Sequence, residues 1–202
     1  MLAIIDYGGG NLGSLVAALR RRRGLFVVTD DAAGIARADA AVLPGDGAFG
    51  ATMEALRKRD LDLAILRHIS AGKAFLGICV GMQVLFEQSG EFGGSAGLGV
   101  LQGSVSRFES APRVPHMGWN DLEVCGSHPF VAELGPEPYA YFLHSYRAPV
   151  GPDTVAACTH GERFAAVVAR DNVMGTQFHP EKSQHTGARL LDNFLKLAGE
   201  GK

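Results

Sequence analysis

The chain has 202 residues, 47% apolar and 20% charged, and 19 Lys and Arg against 21 Asp and Glu leave a formal net charge of −2. This length and composition predict one globular domain over residues 1–202 that buries a core without disulfides or metal. The balanced charge carries no footprint for nucleic acid, and the one basic cluster, Arg20 to Arg23, falls at a predicted helix end, where cations suit the dipole. No apolar run reaches the roughly 18 residues that span a bilayer, and no secretory leader is recognisable, so no membrane and a cytoplasmic location are expected. Cys79, Cys125 and Cys158 stand at long, unpatterned spacings that suit free thiols in a reducing compartment. No cluster of His, Cys or carboxylates has metal-ligand spacing, and neither metal nor cofactor is expected.

From the start, apolar and helical patterns alternate. A strand is predicted at 2–6, a helix at 11–22, strands at 25–29 and 40–43, helices near 49–58 and 61–70, and a strand at 73–78. That rhythm implies an α/β chain with a parallel sheet covered on both faces. From Gly90 to about Phe178 the character changes to short extended runs, 103–108, 139–146, 154–159 and 165–170, which read as antiparallel hairpins grafted on the sheet. A helix with one apolar face closes the chain from Thr186.

The first turn, Gly8-Gly9-Gly10-Asn11-Leu12-Gly13, matches the dinucleotide fingerprint G-x-G-x-x-G, with Asp30 and Asp31 about 20 residues on, where a ribose-binding acid would stand. Three glycines also make a tight strand-to-helix turn with no ligand.

The most informative stretch is residues 74–88, AFLGICVGMQVLFEQ. An apolar strand runs into Gly77-Ile78-Cys79-Val80-Gly81 and then into a helix carrying Met82, Val84 and Leu85. This is the pattern of a nucleophile elbow with cysteine as nucleophile, glycines flanking it because strand and helix crowd each other at so sharp a turn. The helix N-terminus would favour a thiolate, and the Val80 N–H would face a developing oxyanion. Among seven histidines, His179 stands out. It ends the extended run Val173 to Phe178, and Pro180 and Glu181 follow, so a carboxylate two residues away can orient the imidazole. Nucleophile, base and orienter then fall in the order Cys79, His179, Glu181. A third loop, Leu43 to Gly50, follows another apolar strand and would emerge at the same sheet edge, able to offer a second oxyanion N–H.

GICVGMQ together with FHPE resembles the class I (triad) glutamine amidotransferases over essentially the whole chain. Within that family IIDYGGGNLGS, LPGDGAFG, VPHMGWN, YFLHSY and QFHPEKSQ are similar to one branch, the glutaminase subunits of imidazole glycerol phosphate synthase. The resemblance implies a three-layer, flavodoxin-like fold, mostly parallel in its central sheet with an antiparallel extension. It implies Cys79 as nucleophile, His179 as base and acid, Glu181 as orienter, and Gln83, Gly45, Asp46, Gly47 and Val80 around the glutamine substrate. It implies a partner, a (β/α)8-barrel cyclase subunit that receives the ammonia, and it makes the N-terminal glycine loop a signature of the branch instead of a dinucleotide site. Asn11, Ser14, Trp119 and Lys182 are the expected contacts with that partner, Trp119 as an anchor. Asp46 is expected to face away from the oxyanion. Other readings are a related amidotransferase, such as the glutaminase of pyridoxal phosphate synthesis, and a non-catalytic binding module of glutaminase-like fold.

Overall fold

A computed structural model describes residues 1–10, 12–22 and 25–199. In chain order the first half holds β1 (Leu2–Ile5), α1 (Leu12–Arg21), β2 (Phe26–Thr29), α2 (Ala32–Arg37), β3 (Ala40–Leu43), α3 (Phe49–Arg57), α4 (Leu61–Ser70), β4 (Ala74–Ile78), α5 (Val80–Gln83) and β5 (Phe86–Ser89). The second half adds β6 (Ser95–Ala96), β7 (Leu101–Arg107), β8 (His116–Asp121), β9 (Glu123–Val124), β10 (Tyr139–His144), β11 (Tyr146–Arg147), β12 (Thr154–His160), β13 (Glu162–Arg170), β14 (Val173–Thr176) and α6 (Gln184–Leu197).

The central sheet runs β2-β1-β3-β4-β14-β13-β12-β9. Its first five strands are parallel, and β13, β12 and β9 extend it antiparallel, the mixture anticipated from the sequence. Alternate residues of each buried strand serve opposite cores. Leu2, Ile4, Ala40, Val42 and Leu76 pack with Leu15, Leu19, Leu190 and Phe194 of α1 and α6. Ala3, Ile5, Ala41, Leu43 and Phe75 pack with Ile35, Met53, Leu56, Ile65 and Met82 from α2 to α5. Helices therefore cover both faces, giving three layers. Two smaller sheets lie outside this one: β11-β7-β5-β6, and a two-stranded ribbon of β8 and β10.

Three local readings need correction. The elbow helix is a single turn, Val80–Gln83; Val84 and Leu85 are buried in the turn that leads straight into β5. One turn carries only a fraction of a full macrodipole, so the individual N–H groups, not the helix dipole, are what α5 offers an anion. Helix α2 escaped the sequence reading, and Asp31, weighed there as a ribose ligand, is its N-cap, accepting from the Gly34 N–H at 2.6 Å. Asp30 pairs instead with Arg59 at 3.6 Å. Last, α6 begins at Gln184, two residues before Thr186. Among the described residues no helix is long and apolar enough to cross a membrane.

Candidate active site

Strand β4 ends at Ile78, and Cys79 takes φ 55°, ψ −114°, a conformation a non-glycine residue holds only when its surroundings enforce it. The enforcement is visible at the flanking glycines. A Cβ on Gly77 would stand 2.3 Å from the Gly81 carbonyl oxygen, and one on Gly81 would stand 2.2 Å from that of Leu43. No side chain fits in either place, so the chain turns from β4 into α5 at once and leaves the thiol at the carboxyl edge of the parallel strands, where ligand sites of such sheets lie. Cys79 borders a cavity of about 300 Å³ with Asp46, Gly47, Val80, Gln83, Glu91, Leu143, His144 and Tyr146. A larger groove of about 810 Å³ lies elsewhere, between Asn120–Val124 and Gly135–Pro138, and its only thiol, Cys158, is held protonated by burial, its pKa pushed up to about 12. The smaller cavity is the one that Cys79 lines.

His179 follows β14, the strand paired with β4, and this pairing brings residues 100 positions apart in sequence to one edge. Its Nδ1 lies 2.9 Å from Glu181 Oε1, and both side chains are nearly sealed from water. Strand alternation does not set that contact. Pro180–Lys182 form a 3-10 turn that carries the carboxylate back to the ring, and Ser183 Oγ donates to the His179 carbonyl at 2.7 Å to hold it. Burial disfavours the imidazolium, but hydrogen bonds to Cys79 and Glu181, reinforced by their charges, outweigh it and push His179 up to about 10. The imidazole is therefore held toward its charged form between the Cys79 sulfur and the Glu181 carboxyl group.

Nothing among the described residues accepts the Val80 N–H, which is free to donate at the head of α5. The loop after β3 supplies less than its sequence suggests. The Asp46 N–H is turned to the Tyr7 hydroxyl, 3.5 Å away, and Asp46 itself is exposed at the cavity rim. The glycine turn after β1 has an internal role here: a Cβ on Gly9 would meet the Tyr7 ring at 2.7 Å, so the turn packs against the residue that holds the Asp46 amide.

Several site residues escaped the sequence reading. Gln177 Nε2 reaches Cys79 Sγ at 3.9 Å, and its Oε1 accepts from Gln83 Nε2 at 2.9 Å. Its place two before His179 in an extended run was a usable signal. Glu91 comes from a turn between strands of a small sheet, for which the sequence offered no signal, whereas His144 and Tyr146 lie in the run YFLHSY, singled out there without a role for either.

The residues expected at a partner surface lie near one another. The outer face of the β8–β10 ribbon carries Met117, Trp119, Tyr139 and Leu143, all exposed, and register places Trp119 opposite Tyr141. Tyr141 N–H donates to Ser183 Oγ at 3.0 Å, which joins the ribbon to the turn bearing exposed Lys182, and Ser14 stands half-buried in α1, which packs beside that turn. Asn11 lies outside the described residues.

An elbow cysteine, a His-x-Glu pair just beyond the neighbouring strand and a three-layer, flavodoxin-like sheet stand together here, and the matches give that arrangement a family. The model of the glutamine amidotransferase class-I family matches residues 3–198, and the chain belongs to that family. Relatives narrow it further. The imidazole glycerol phosphate synthase subunit HisH of Salinibacter ruber is 48% identical, over 98% of this chain and 94% of its own. The protein of the same name from Gloeothece citriformis is 46% identical, over 96% of this chain and 95% of its own. Among solved structures, a glutamine amidotransferase superposes with a TM-score of 0.78 at 22% identity, covering 98% of both chains, a likeness of fold.

Proposed function

We propose that this chain is the glutaminase subunit of imidazole glycerol phosphate synthase, and that residues 1–202 work as one glutamine amidotransferase domain in the cytoplasm. The observation that carries the reading is the bond of His179 to Glu181 at 2.9 Å beside a strained Cys79, within a chain of this family. Free thiols at Cys79, Cys125 and Cys158 suit the reducing compartment.

The thiolate of Cys79 attacks the side-chain amide carbon of glutamine, and the oxyanion that forms is met by the Val80 N–H and a donor from Gly45 to Gly47. His179, protonated as its raised pKa requires, gives its proton to the leaving nitrogen, and ammonia departs. The neutral imidazole then takes a proton from water, which attacks the thioester and releases glutamate with Cys79 restored. Glu181 keeps the ring in the tautomer that presents Nε2 to the reaction. Glu91, whose Oε2 accepts the Phe49 N–H at 2.7 Å, keeps a carboxylate at the cavity for the substrate's α-ammonium, with Gln83 beside it.

Ammonia protonates once it reaches bulk water, so the product must pass directly to an acceptor. We infer that the acceptor is a (β/α)8-barrel cyclase subunit docked on the apolar ribbon face, with Trp119 as anchor and with Ser14, Lys182 and Asn11 as further contacts. The cyclase would join the ammonia to a phosphoribulosyl imidazole carboxamide nucleotide, yielding imidazole glycerol phosphate and an aminoimidazole carboxamide ribonucleotide. The test is glutamate production by the chain alone and with the liganded cyclase, with Cys79→Ala as control. Stimulation by the partner, and a Cys79→Ala complex that still uses added ammonia, support the assignment. Turnover indifferent to that partner would point to another acceptor, and none at all to a binding module.

A further inference from the structure

A line of hydrogen bonds runs from the ribbon to the nucleophile, and its direction is determined at both ends. The Tyr146 carbonyl can only accept, so His144 Nδ1, 2.9 Å away, carries a proton. The other nitrogen of that ring, Nε2, is then the acceptor, and His116 Nδ1 donates to it at 3.0 Å. His116 Nε2 in turn accepts from Asn120 Nδ2 at 3.1 Å. The same amide group donates to the Thr159 carbonyl at 3.0 Å, and Asn120 Oδ1 accepts the Asp121 N–H at 2.9 Å, so the amide cannot be flipped. Two carbonyls thus dictate every proton position between them. A charged ring has no place in the line, because protonating either histidine would set N–H against N–H. The surroundings agree: His116 and His144 lie among Phe108, Phe142 and Phe164, and burial holds both neutral, the first down to about 4 and the second to about 3.

Beyond Tyr146 the line continues to the substrate cavity. Gln83 Nε2 donates one hydrogen to the Tyr146 carbonyl at 2.9 Å and the other to Gln177 Oε1 at 2.9 Å, while Gln177 Nε2 faces Cys79 Sγ at 3.9 Å. Both amide hydrogens of Gln83 are spent. What it has left to offer is its carbonyl oxygen, an acceptor, and Glu91 lines the same cavity as Gln83.

We propose that Asn120, His116 and His144 are positioning residues that lock the Gln83 amide with its oxygen toward the cavity, and so make the site select a substrate carrying an α-ammonium. The proposal rests on the reading of the Cys79 cavity as a glutamine site. His144 holds the carbonyl that holds Gln83, and His116 and Asn120 hold His144 in the one tautomer that can do so. The outer face of the same ribbon is the proposed partner surface, so the element that docks also orders the substrate subsite.

The experiment compares inactivation of Cys79 by a chloromethyl ketone analogue of glutamine, which carries the α-ammonium, with alkylation by iodoacetamide, which does not. His144→Phe keeps the ring volume and removes the donor; the analogue's half-saturation concentration is expected to rise about tenfold, and the ratio of analogue to iodoacetamide reactivity at low concentration to fall by a similar factor. His144→Asn places an amide N–H near the position of Nδ1 and is expected to recover to within about threefold. Unchanged saturation in His144→Phe, or no recovery in His144→Asn, would overturn the proposal. A second readout needs no variant: long-range ¹⁵N spectra of the wild-type chain should show both His116 and His144 protonated at Nδ1 alone at neutral pH. An Nε2–H on either ring would refute the relay even if the variants fail to fold. A wild-type chain that shows no saturation by the analogue would sink the glutamine-site reading by itself, leaving the tautomers to judge the relay.

Discussion

Replacing Glu181 with Gln probes the proton-carrying role proposed for His179 most directly. The carboxylate accepts from Nδ1 at 2.9 Å, and with side chains 6% and 3% exposed the pair escapes the screening that weakens surface ion pairs. A hydrogen bond to a charged group is worth about 1.5–3 kcal/mol and one between neutral groups about 0.5–1.5, so neutralising the acceptor costs on the order of 1–1.5 kcal/mol. At 1.36 kcal/mol per pKa unit, that lowers His179 by about one unit from its value of about 10. The larger effect is on orientation. Among the described residues Glu181 Oε2 is buried with no partner, and the amide can rotate to put its own N–H toward Nδ1, which favours the wrong tautomer. Carboxylate-to-amide changes in such triads cost up to about 10⁴ in kcat, so a fall of about 10²–10⁴ is expected. KM for glutamine should stay within about threefold, because Glu181 does not line the cavity and the change removes no ground-state binding.

The same change has a signature in stability against pH. The folded value of His179 lies above the ordinary 6.5, so the stability linked to the imidazolium is complete below about 6.5 and drains away as pH rises to about 10. In Glu181→Gln the drain starts at the same pH and ends about one unit earlier. The assays are steady-state glutamate production, an NMR titration of the His179 ring, and melting temperatures between pH 6 and 10. A variant with kcat reduced less than threefold and an unmoved His179 titration would refute the assignment.

Three further outcomes are expected. Gly81→Ala puts a Cβ 2.2 Å from the Leu43 carbonyl oxygen; it should cost about 2 kcal/mol or more in chemical denaturation and abolish glutaminase activity, and a stable, active variant would disprove the close packing of the elbow. Trp119→Ala, 46% exposed on the ribbon, should weaken the complex with the cyclase by about tenfold or more in a titration, whereas unchanged affinity would place the interface elsewhere. Tyr7→Phe removes the hydroxyl that takes the Asp46 N–H at 3.5 Å, leaving that donor free to turn toward the oxyanion; basal glutaminase activity of the isolated chain should rise several-fold, within the hundredfold one donor can be worth, and an unchanged rate would mean that Tyr7 does not restrain the loop.

The parts of this chain that could be read from the sequence are those whose geometry is a local matter. Strand β3 was placed at its observed bounds, and β1, α3, α4 and β4 to within a residue or two, because buried parallel strands and amphipathic helices announce themselves by period. The elbow was legible for a stricter reason: a backbone turn that brings Gly81 onto Leu43 and Gly77 onto Gly81 admits no side chain, so the requirement is written into the residues on either side of Cys79. His179 and Glu181 were legible as a pair because they are near neighbours.

Other parts were harder to read, and the misses share a cause. A six-residue helix such as α2 is too short for a period, and the one-turn α5 was overrun by the apolar residues Val84 and Leu85, whose burial belongs to the turn into β5. Which face of a hairpin meets which sheet depends on register and on long connections that no local pattern sets.

The sequence by itself determined the α/β class, the sharp turn at Cys79, the proximity of His179 and Glu181, and the expectation of an amidotransferase. Only the tertiary structure decided that Gln177 would stand against Cys79, that Glu91 and His144 would border the same cavity, that the Asp46 amide would turn to Tyr7, and that the His116–His144 pair would end at Gln83. The first set follows from backbone sterics and hydrogen bonding within a few residues. The second follows from strands far apart in the chain meeting at one edge, where burial leaves each polar group to find the partner the packing supplies.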